Sequence, residues 1–77
     1  MMAHKAPVLM EVVQSGPIAE AILERLGSAF QLSDPQQLGQ FEVVIPSSDS
    51  DDARGRIAAV AAGVDLNWEN FVHFIAG

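Results

Sequence analysis

Seventy-seven residues leave room for one small domain spanning residues 1–77, and the absence of cysteine excludes both a disulfide framework and a thiolate metal site. Ten acidic residues against four basic ones give a formal charge of −6, which argues against nucleic acid and anionic membranes as partners. Hydrophobic residues at 49% and charged ones at 18% describe a globular chain and exclude an intrinsically disordered one.

A domain of this size buries only about 60% of the surface its unfolded chain exposes, so nearly every apolar stripe belongs in the core. The amino terminus carries Lys5, but the apolar stretch from Val8 to Val13 is interrupted by Glu11 and is too short for a signal core. No run approaches the length of a membrane span. Cytoplasmic residence is the expectation, in keeping with a cysteine-free composition.

In chain order, Val8 to Val13 is the first element. It reads as a strand, with a short amphipathic helix after Pro7 as the other reading. Ser15 or Gly16 then caps a helix over about Pro17 to Phe30, with Pro17 in the first turn where its missing N–H is harmless. Ile18, Ala19, Ile22, Leu23, Leu26, Ala29 and Phe30 share one broad face of that helix, and Glu20, Glu24, Gly27 and Ser28 fill the other.

A loop follows from Gln31 to Gln40, punctuated by Ser33-Asp34-Pro35 and Gly39. Phe41-Glu42-Val43-Val44-Ile45 is β-branched and aromatic, bounded by Gly39 and Pro46, and predicts a strand. It pairs best with Val8 to Val13, and the helix between the two suits a parallel crossover. Past the loop Pro46-Ser47-Ser48-Asp49, a second helix runs from about Ser50 to Ala62. Asp51 and Asp52 favour its positive end, Ser50 or Asp51 is the expected cap, Asp52 and Arg56 lie four apart, and Gly63 is the expected stop. Ile57, Val60, Ala61 and Val64 form a narrow seam.

The tail supports two patterns. Trp68, Phe71, Val72 and Ile75 fall at helical spacing behind Asn67 as a cap, and this reading is preferred. Alternation at Val64, Leu66 and Trp68, with Phe71 to Ile75 as an apolar run, supports a strand instead. The fold expected is therefore α+β, a two-layer β-α-β-α domain with a C-terminal amphipathic helix or third strand. An all-α four-helix bundle is the alternative, at the cost of a long connection over residues 31–49.

Candidate chemistry is sparse. Asp49 and Asp51 sit at alternate positions, as oxygen ligands of a hard cation would. The calcium-loop pattern fails at Ala53 and at Val60, and a capped helix start explains the cluster. Neither phosphate-loop nor dinucleotide glycine spacing is present. Ser15-Gly16, ahead of the first helix, is a weak candidate ligand seat for an anion. His4 and His73 have no serine in a nucleophile setting to serve, so no catalytic residue, metal site or cofactor is assigned. Trp68, Phe71, Phe74 and Ile75 are the candidate interaction surface, because aromatic residues concentrate at interface centres; a core role is the competing reading.

The function expected is a non-catalytic protein-interaction or regulatory module. Its partner is another protein or a second copy, the homodimer forming through a sheet edge or the C-terminal aromatics. The rivals are a small-molecule-sensing regulatory domain and an acidic inhibitor that mimics nucleic acid.

Overall fold

The computed structural model describes residues 5–33, 39–46 and 49–75. His4, Asp34, Pro35, Ser47 and Ser48, singled out above, lie outside the described residues. The elements follow the order β1 (Lys5–Val12), α1 (Pro17–Ala29), β2 (Gln31–Leu32), β3 (Gln40–Pro46), α2 (Ser50–Val64), a 3-10 turn (Trp68–Asn70) and β4 (Val72–Phe74). The class is α+β and not a helical bundle, with one four-stranded sheet ordered β2-β3-β1-β4.

Every neighbouring strand pair is antiparallel. The expected partnership of the first strand with Phe41 to Ile45 is present, with Val8 opposite Val43 and Met10 opposite Phe41. Its direction differs from the parallel crossover expected. The reason is β2, two residues too short to register as a periodic signal, at which the returning chain reverses before entering β3. The helical crossover therefore joins β1 to β2, which run parallel with β3 between them. Likewise α2 joins β3 to β4 across β1. This is the split βαβ plan, met in ferredoxin-like folds, and the plan itself assigns no function.

Alternation places the core. Val8 and Met10 of β1, Phe41, Val43 and Ile45 of β3, and Val72 of β4 are buried in one cluster with Ile22 and Leu26 of α1 and Ala53, Ile57 and Ala61 of α2. Both helices thus cover the same face of the sheet. Burying each large aliphatic side chain contributes about 1.5–3 kcal/mol. On α1, Ala19, Ile22 and Leu26 are buried while Ala29 is exposed. On α2 the buried seam is Ala53, Ile57 and Ala61, with Val60 and Val64 only half-buried at its margin. Small residues at two of those three positions let α2 approach its neighbours closely.

Three terminal signals differ from expectation. Asp49, within the acidic cluster expected to start α2, is its cap: its carboxylate accepts the Asp51 N–H at 2.9 Å, one residue before Ser50 and two before Asp51, the two caps expected. Gly63 does not stop the helix, which continues to Val64 and closes on Asp65, whose N–H reaches the Ala61 carbonyl. The tail forms a strand in place of the preferred helix. The Asp65 carboxylate accepts the Asn67 N–H at 2.7 Å, tightening the turn that precedes Trp68, and Asn67 makes no side-chain cap. After that turn β4 pairs with β1, Met10 opposite Phe74 and Val12 opposite Val72. The expected Asp52–Arg56 pair is formed, at 3.0 Å.

Proline and glycine placements agree with this ladder. Leu9 and Glu11 of β1, and Val13 just past its end, direct their main-chain groups toward the β4 side, since Ile75 donates to the Leu9 carbonyl, Glu11 pairs with His73 and Val13 donates to the Phe71 carbonyl. Pro7 shares that parity, so its missing N–H costs the β1–β3 ladder no bond. Gly39 enters β3 at φ +79°, its carbonyl accepting the Val12 N–H at 2.7 Å. A Cβ there would stand 3.2 Å from the Val12 carbonyl oxygen.

Candidate interaction surface

The face of the sheet away from the helices is built by the odd residues of β1 and their register partners. Pro7 lies opposite Val44, Leu9 opposite Glu42, and Glu11 opposite Gln40 on one side and His73 on the other. Ile75 extends the row at Leu9, to whose carbonyl it donates at 2.9 Å. An antiparallel sheet with one wet face ordinarily carries polar side chains there. Here Pro7, Leu9, Val13, Val44 and Ile75 hold outward positions, with Leu9 41% and Val13 45% exposed. Glu11 and Glu42 interrupt this apolar surface and are half-buried by their neighbours.

The four tail residues proposed as an interaction surface are divided between the two faces. Trp68 is 8% exposed and belongs to the core cluster. Phe74 packs against it edge-on, with ring centroids 6.0 Å apart and planes at 77°. Phe71 is half-buried against the same cluster, and its carbonyl accepts from Val13 and Gln14. Ile75, by its parity with His73, lies on the open face beside Leu9. The residues that give that face its character, Pro7, Leu9 and Val44, were missed as a site. The signal available was the apolar content of outward positions on both strands, and it becomes readable only with the register in hand.

The weak ligand seat is a helix entry. Gly16 stands before α1 at φ +146° with no side-chain cap, and its carbonyl accepts the Glu20 N–H at 3.0 Å. Ser15 is exposed. Among the described residues no group of three or more His, Asp or Glu side chains is placed to hold a metal ion. His73 faces Glu11 across the β1–β4 pair, with no serine at the neighbouring register positions. At the start of α2, Asp49 supplies the cap, and Asp51 and Asp52 form exposed ion pairs with Arg54 and Arg56. No helix among the described residues is long and apolar enough to cross a membrane.

No protein-family model, curated protein or solved structure matches the chain.

Proposed function

We propose that the protein is a small, acidic, non-catalytic interaction module of the cytoplasm, and that the open face of its sheet is the surface it presents to a partner. The supporting observation is the asymmetry of the sheet. One face is covered by α1 and α2, while the other carries Pro7, Leu9, Val13, Val44 and Ile75 with no layer over them among the described residues. Apolar residues gathered at the centre of a face and bordered by polar ones are the composition of an interface. The polar residues here are Gln31 and Gln40 toward the edge, with Glu11, Glu42 and His73 set among the apolar ones.

The test is to add isotopically labelled protein to a soluble extract of its source cell and follow amide signals. Signals of Leu9, Glu11, Glu42, Val44 and His73 are expected to broaden, and Leu9→Asp is expected to abolish the effect without changing the fold. Broadening confined to the outer faces of α1 and α2 would overturn the proposal.

A further inference from the structure

We draw no further inference here: the strongest candidate, the open sheet face around Leu9, Val44 and Ile75, carries nothing beyond the interaction surface already described, because nothing in the structure shows what covers it.

Discussion

Replacing Trp68 by alanine tests the placement of the tail most directly. Trp68 is 8% exposed, lies in the turn between α2 and β4, and packs edge-on against Phe74. Truncating a buried tryptophan costs about 3–5 kcal/mol, because the lost transfer energy is joined by a cavity that the surroundings fill only in part. The aromatic pair adds about 0.5–1.5 kcal/mol to what burial alone contributes. A domain of 77 residues has a total stability of about 4–12 kcal/mol, so this one change removes a large share of it. The melting temperature should fall by at least about 12 °C, at 4–8 °C per kcal/mol for a domain of this size. Because Trp68 is the single tryptophan, unfolding must be followed by far-UV circular dichroism instead of fluorescence. Trp68→Phe should recover part of the loss, and a cycle combining Trp68→Ala with Phe74→Leu should show coupling of about 0.5–1.5 kcal/mol. A loss below about 1 kcal/mol in denaturant titration would mean that the indole is not buried, and would refute the packing described.

Asp49→Ala should destabilise the protein by about 1 kcal/mol through loss of the α2 cap, while Asp51→Asn, which removes only an exposed partner of Arg54, should cost less than about 0.5 kcal/mol; chemical denaturation checks both. Gly55 is in the interior of α2 with open space where a Cβ would stand, so Gly55→Ala should stabilise by about 0.5–1 kcal/mol, read as a higher denaturation midpoint. The same substitution at Gly39 should destabilise by about 1–3 kcal/mol, because the backbone there is at φ +79° and the Val12 carbonyl stands in the way. Leu9→Asp should cost about 1–2 kcal/mol by thermal melting, since aspartate is a poor strand former and would face Glu42, whereas Met10→Asp, one residue along and fully buried, should prevent folding.

What the amino-acid order determined by itself were the elements whose signals are local. The helix beginning at Pro17 is announced by a proline-led first turn and a broad apolar stripe. Phe41 to Ile45 is announced by β-branched residues between two breakers, and the start of α2 by carboxylates at its positive end. These follow from backbone sterics and side-chain spacing within a few residues, so they need no knowledge of the rest of the chain. The α+β class and the pairing of the first strand with the Phe41 strand follow from the same signals, since an apolar strand must find a partner for its main-chain groups.

The tertiary structure alone decided the direction of that pairing, the fate of the tail and the character of the open face. Gln31 and Leu32 have no period to detect; they become β2 only because β3 offers an unpaired edge to Gln31 opposite Val44 and Leu32 opposite Val43. Trp68 to Ile75 satisfies helical and strand spacing alike. The choice falls to β1, whose second edge needs hydrogen-bond partners and whose flank leaves a space for the indole. The patch of Leu9, Val44 and Ile75 exists only once the register is set, because these residues come from three separate strands or strand ends. Local sequence carries propensity and pattern, while which edge is left open and which face is left uncovered are properties of the assembled sheet.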